Sequence, residues 1–192
     1  MEQIWVGCLE LKFTVDAILV SLPIEMYNDA MSFLETARCL EDKPENLWFR
    51  WRYLRASILF SFCSFEAFLN SFVKDIIKND VAGVLGNPTI ANEIDELKLS
   101  WVENLDAVSK ITGKKTSAKL LQEAERAARI RNRLVHYSGN SRPLYENDKD
   151  GINEKNAERA IQLIRDTVIN LKDSIGEDYP YWIKRKQSWI IS

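Results

Sequence analysis

A chain of 192 residues, 46% hydrophobic and 28% charged, has the length and composition of one globular domain with a full-sized core. Its 26 lysines and arginines against 28 aspartates and glutamates leave a net charge of −2. That excludes a global pull toward nucleic acid, so any such contact has to come from a local basic patch. The cysteines, Cys8, Cys39 and Cys63, show no paired spacing, and with one histidine there is no metal-finger pattern. They are expected as buried thiols in a reducing cytosol.

The opening stretch, MEQIWVGCLELK, lacks the basic leader and cleavage site of a secretory signal, and a cytoplasmic location is expected. Residues 1–22 are ambiguous. Leu9, Leu11, Phe13 and Val15 alternate with polar residues as in a strand. Ile4, Cys8, Leu11, Val15, Ile18, Leu19 and Leu22 also share one helical stripe, and helix is the preferred reading because everything downstream is helical.

Pro23 breaks the chain, and residues 24–40 read as a helix with Met26, Ala30, Phe33, Leu34 and Ala37 on one face, ending at Lys43-Pro44. Residues 46–79 form a long, strongly apolar helix and should be the centre of a bundle. Its most apolar run, Ala56 to Val73, contains Glu66 and Asn70, which argues for a core helix over a membrane span. Gly83, Gly86 and Pro88 make a loop, and a helix is expected from about Ala91 to Ile111. Thr116 or Ser117 caps the next helix, which runs to Gly139. A polar loop from Gly139 to Gly151 follows. Asn153 then caps a helix with Ala157, Ala160, Ile161, Ile164, Val168 and Leu171 as its apolar stripe, ending near Gly176. Residues 179–191 read as a short terminal helix. The expected fold is an all-α, up-and-down bundle of five to seven helices in a single domain.

The stretch Glu123–Asn140, EAERAARIRNRLVHYSGN, concentrates Arg126, Arg129, Arg131 and Arg133 ahead of His136, the only histidine. At about 100° per residue, Arg129 and Asn132 share the face of His136 and Arg133 lies close by. Arg131 points about 140° away in a regular helix; it meets an imidazole only if the helix unwinds, or across a dimer. Imidazole moves protons near neutral pH, and guanidinium forks bind phosphate oxygens, so the set suits phosphoryl chemistry. Basic residues in a last helical turn also complement the helix dipole, and a histidine there often serves only as a cap.

Arg131-Asn132-Arg133-Leu134-Val135-His136 resembles the signature of the HEPN superfamily: an arginine, usually followed by a polar residue, four to six residues in all, then histidine. Arg131 gives the four-residue gap with Asn132 in the polar place; Arg129 gives six but is followed by Ile130. The long earlier helix reading Phe65-Glu66-Ala67-Phe68-Leu69-Asn70 fits too, since acidic or polar residues are common there in this superfamily. The resemblance covers about residues 24–176 and leaves out a tail helix at about 179–191.

The resemblance implies a metal-independent endoribonuclease without cofactors, toxin-like or a defence effector, working as a homodimer whose two motifs meet in a cleft. His136 is then expected to move protons as the RNA 2′-hydroxyl attacks the adjacent phosphate. Arg131 binds that phosphate and Asn132 orients the site. A two-fold axis supplies the second imidazole that acid–base chemistry needs. An antitoxin protein is an expected partner and a membrane is not. Where toxins paired with nucleotidyltransferase antitoxins carry a tyrosine two residues after the histidine, this chain has Ser138, with Tyr137 directly after His136. That speaks against the tyrosine modification of that pairing. The alternative is a non-catalytic HEPN-like helical protein that binds nucleotide or RNA or mediates assembly.

Other residues carry two readings. Glu66, costly in an apolar helix unless paired, either holds Arg131 or a neighbour beneath the cleft or faces a surface groove, with Asn70 one turn on. Trp48, Phe49, Trp51 and Tyr53 beside Arg50, Arg52 and Arg55 resemble a base-stacking platform but are read as a helix entering its core. Lys184, Arg185 and Lys186 between Trp182 and Trp189 are read as a tail helix docked by its tryptophans. Tyr137 either stacks on a base or packs on a neighbouring helix.

Overall fold

The computed structural model describes residues 21–41, 43–84, 99–136 and 150–184. Their helices are α1 (Leu22–Cys39), α2 (Leu47–Val84), α3 (Trp101–Thr112), α4 (Ala118–Val135), α5 (Glu154–Ile175) and a short α6 (Tyr181–Lys184). A single 3-10 turn, Pro44–Asn46, precedes α2. The chain is an all-α bundle, with α1, α3, α4 and α5 all packed on α2.

The centrality of α2 follows from its composition. Leu54, Ile58, Phe62, Phe65, Leu69 and Val73 are all buried along it. Covering a Phe or Leu side chain stabilises by about 1.5–3 kcal/mol, so the helix with the most such residues becomes the one the others cover. By length and composition Pro44–Ile77 could also cross a membrane, but half of its most apolar window is buried in the bundle. The helix runs on through Gly83, which was expected in the loop.

Helix directions can be read from paired residues. The Ser64 hydroxyl donates to the Pro23 carbonyl at 2.7 Å, and Phe33 stacks on Tyr53, so α1 runs against α2. Arg50 meets Glu154 and Lys172 lies over Phe72, so α5 runs with α2. Arg159 meets Glu123 and Arg126 meets Asn156, so α4 runs against α5.

Local signals set most boundaries. Ser21 holds the N-cap position of α1 with its backbone carbonyl alone, accepting from the Ile24 and Glu25 N–H groups, and Pro23 sits in the first turn, where its missing N–H costs nothing. The buried stripe of α1 is Tyr27, Ala30, Leu34 and Ala37, with Tyr27 in place of Met26. Asn153 caps α5 through the Asn156 N–H, and Gly176 ends it at φ 72°, left-handed backbone that favours glycine. The whole expected apolar stripe of α5 is buried.

One boundary departs from expectation. α3 starts at Trp101, not near Ala91, because Ser100 and Glu103 form a reciprocal capping box. The Ser100 N–H donates to Glu103 at 2.7 Å, and the Glu103 N–H donates back to the Ser100 hydroxyl at 3.3 Å. Residues 91–98 lie outside the described residues, as does the helix-or-strand question over 1–20. At the far end Trp182 docks against Tyr27 and Phe68, with ring centroids 5.1 and 6.4 Å apart. Trp189, Arg185 and Lys186 lie outside the described residues.

Candidate functional site

The arginine stretch is helix α4. Ser117 accepts from the Leu120 N–H and starts it, and Leu120, Ala124, Ala127 and Ile130 form its buried stripe. Two alanines in that stripe let the backbone approach α2 and α5 closely. The polar side therefore carries the arginines.

The helix ends earlier than the expected Gly139. Val135 is its last residue, and His136 is the C-cap, at φ −108° and ψ 61°, still donating its N–H to the Asn132 carbonyl at 2.8 Å. The helix thus unwinds at the histidine itself. His136, Asn132 and Val135 are all exposed. Tyr137, Ser138 and Gly139 lie outside the described residues.

Arg131 is held from two sides. Its Nη2 donates to Glu66 Oε1 at 2.9 Å, and its guanidinium carbon lies 4.6 Å from the centroid of the Phe62 ring. Planar guanidinium suits both contacts at once, one carboxylate at its edge and one aromatic face beneath. The pair is partly wet, with Arg131 26% and Glu66 35% exposed. The contact with Arg131 that one of the two readings of Glu66 called for is present, on a part-exposed face of α2. Asn70 does not join them; its carbonyl oxygen accepts from Asn104 Nδ2 at 2.6 Å and ties α2 to α3.

The other three arginines converge on Asp150, a residue the sequence reading passed over. Arg126 Nε lies 3.5 Å from one carboxylate oxygen and Arg129 Nε 3.8 Å from the other. Arg133 donates to the Asp150 backbone carbonyl at 3.2 Å. No local signal singles it out: an acidic residue in a polar loop is solvated and needs no partner, so only the fold brings it to the arginines. Asn156 braces the same corner: its Nδ2 donates to the Gly151 carbonyl at 2.7 Å and its Oδ1 accepts from Arg126 at 3.2 Å. Asn156→Leu keeps the shape of this buried side chain but strands the Gly151 carbonyl and takes one acceptor from Arg126. A loss of about 2–3 kcal/mol is expected, read as a fall in the thermal midpoint of about 5–10 °C.

The expectation of buried thiols is corrected for the two cysteines described, since Cys39 and Cys63 are both exposed. Cys39 is the last residue of α1, and Cys63 lies on the α2 face that carries Glu66. The partial burial of the Cys63 thiol raises its pKa, the Glu66 carboxylate raises it further, and Arg131 opposes both. A raised pKa means less thiolate at any pH below it. Cys63 is therefore expected to react with iodoacetamide more slowly than a free cysteine peptide at pH 8. Glu66→Gln should speed that reaction and Arg131→Ala slow it, as peptide mapping of the alkylated chain would show.

The site thus consists of an exposed imidazole at the end of α4 and, five residues earlier on a different face of that helix, an arginine held against α2. Among the described residues no hydrogen bond joins the His136 side chain to Arg131, and no group of three or more His, Cys, Asp or Glu is placed to hold a metal ion. A groove of about 480 Å³ between α1 and α5 is lined by Met31, Leu34, Arg38 and Arg165 among others, and takes nothing from the arginine stretch. Compared with protein-family models, with characterised proteins and with solved structures, the chain finds no match.

Proposed function

We propose that the chain is a metal-independent endoribonuclease of HEPN type, cytoplasmic and toxin-like or a defence effector, acting at a composite site in a homodimer. One observation carries this reading: His136 is exposed where α4 unwinds, while Arg131 of the same helix is fixed at its surface by Glu66 and Phe62. A general acid–base group has to reach substrate, and an arginine that stabilises a pentavalent phosphorane has to be pre-positioned.

In this mechanism the 2′-hydroxyl attacks the adjacent phosphorus, one imidazole takes the hydroxyl proton, and the P–O5′ bond breaks. The second subunit's imidazole returns a proton to the departing oxygen. The products are a 2′,3′-cyclic phosphate and a 5′-hydroxyl. The free N–H groups of Arg131 meet the non-bridging oxygens, and Asn132, exposed beside the histidine, orients the phosphate. Arg129, 59% exposed, and Arg133 add positive charge around it.

The pairing of Arg131 with Glu66 also suits the alternative, a non-catalytic helical protein that binds RNA or assembles with a partner, because the charge is already half answered within one subunit. Incubation with varied RNAs in chelator separates the two. The ribonuclease leaves cyclic-phosphate ends and loses specific activity on dilution below its dimer dissociation constant. Absence of cleavage on every RNA at micromolar protein overturns it.

A further inference from the structure

Trp48 and Phe49, expected in the core, stand 63% and 51% exposed on α2. That is a correction with a physical reason: at about 100° per residue both rings are turned away from Arg50, which faces α5 through Glu154, and the fully buried apolar residues of the helix begin only at Leu54. Two large aromatics held in water at the start of the central helix call for a ligand.

Their position gives it a direction. At about 100° per residue, Trp48, Arg52, Arg55, Leu59, Cys63 and Glu66 fall within an arc of about 80° on α2. Trp48, Arg52, Arg55 and Cys63 are exposed and the other two half-buried. The stripe therefore runs along the surface from Trp48, with Phe49 at its edge beside Arg52, to the carboxylate that holds Arg131. At about 1.5 Å per residue its two ends are roughly 27 Å apart, the span of about eight stacked nucleotides.

The local geometry is that of a platform. Trp48 stands edge-on to Trp51, with centroids 5.2 Å apart and planes at 86°. The Arg52 guanidinium lies 5.7 Å from the Phe49 centroid. Among the described residues neither Arg52 nor Arg55 is ion-paired, whereas Arg50, off the stripe, is held by Glu154 at 3.4 Å. Exposed rings next to unpaired guanidinium groups match a strand of unpaired bases on a phosphate backbone; a duplex hides its base faces and offers the rings nothing to stack on.

We propose that this face of α2 is a second binding site, for single-stranded RNA, in which bases stack on Trp48 and Phe49 and Arg52 and Arg55 take the phosphates leading toward Arg131. The proposal rests on the ribonuclease reading for its ligand class, and its test does not depend on cleavage.

The test uses the full chain and a labelled 2′-O-methyl RNA of about sixteen nucleotides, which lacks the attacking hydroxyl and stays intact. Trp48→Ala should weaken its binding roughly tenfold. Arg52→Gln with Arg55→Gln should lower the salt slope of the binding constant by about 0.7 for each phosphate contact removed. All three residues are exposed, so a thermal melt matching wild type confirms that the fold is kept. Unchanged affinity and slope in these variants overturn the proposal. So does preference for a duplex of the same length, or a change of oligomeric state at unchanged affinity, which makes the face an interface between copies. A protein that binds through Trp48 but cleaves no RNA keeps the platform and loses the ribonuclease. One that cleaves RNA but binds equally well without Trp48 does the reverse.

Discussion

His136→Ala is expected to reduce RNA cleavage by about 10²–10⁴-fold, the contribution of a positioned acid–base group, while leaving the fold intact. The second half of that expectation comes from the structure. His136 is exposed, and its contribution to the helix end is its backbone N–H, bonded to the Asn132 carbonyl, which alanine retains. Arg131→Ala should cost cleavage by a similar factor, since removing one pre-positioned donor from a developing oxyanion costs about 10²–10³-fold. Arg131→Lys should not rescue it. Lysine offers a point charge, whereas the two contacts seen here require a planar fork with a face for Phe62 and an edge for Glu66. Initial rates on one RNA in chelator, with a thermal melt of each variant, make the measurement. Wild-type cleavage by the His136→Ala protein means that the imidazole carries no proton, and the ribonuclease reading goes with it.

Which parts of this site were legible beforehand depended on how local their causes are. The caps Ser117 and Asn153 and the stop at Gly176 are single-residue signals beside an apolar stripe, and each stands where the spacing put it. The capping box of α3 is as local but lies inside an apolar-periodic run, and the run alone suggests a longer helix. The exposure of Trp48, Phe49, Cys39 and Cys63 is another matter. Residue type tells what burial would gain, and only the reach of neighbouring helices tells whether burial happens. The Glu66–Arg131 pair, 65 residues apart in sequence, was accessible by cost. A carboxylate inside an apolar helix costs free energy unless it is paired or reaches water, a demand that left two readings open, Arg131 or a neighbour as partner and a surface groove. Asp150, in a polar loop where a carboxylate costs nothing, made no such demand, and its role as the meeting point of three arginines emerged only in three dimensions.

The second large effect is expected at Glu66, where activity and stability should part company. Glu66→Ala removes the acceptor at Arg131 Nη2 and leaves the guanidinium resting on Phe62 alone, free to swing about its stem. A displacement of about 1 Å at a phosphate-binding arginine can cost up to about 10²-fold in rate, so kcat should fall by roughly ten- to a hundredfold. KM should not rise, because the substitution takes a negative charge away from the path of a polyanion. Stability should move little. With the two side chains a quarter to a third exposed, the ion pair contributes no more than about 1 kcal/mol. Glu66→Gln keeps an oxygen that accepts from Nη2 and should recover most of the lost kcat, which marks Glu66 as a positioning residue and not a proton carrier. A carboxylate that merely neutralised a stray arginine would behave otherwise: both substitutions would lower the melting temperature and leave kcat alone. If instead Glu66→Ala raised kcat, the carboxylate would be competing with RNA for the arginine, and the pair would be a latch that substrate has to break.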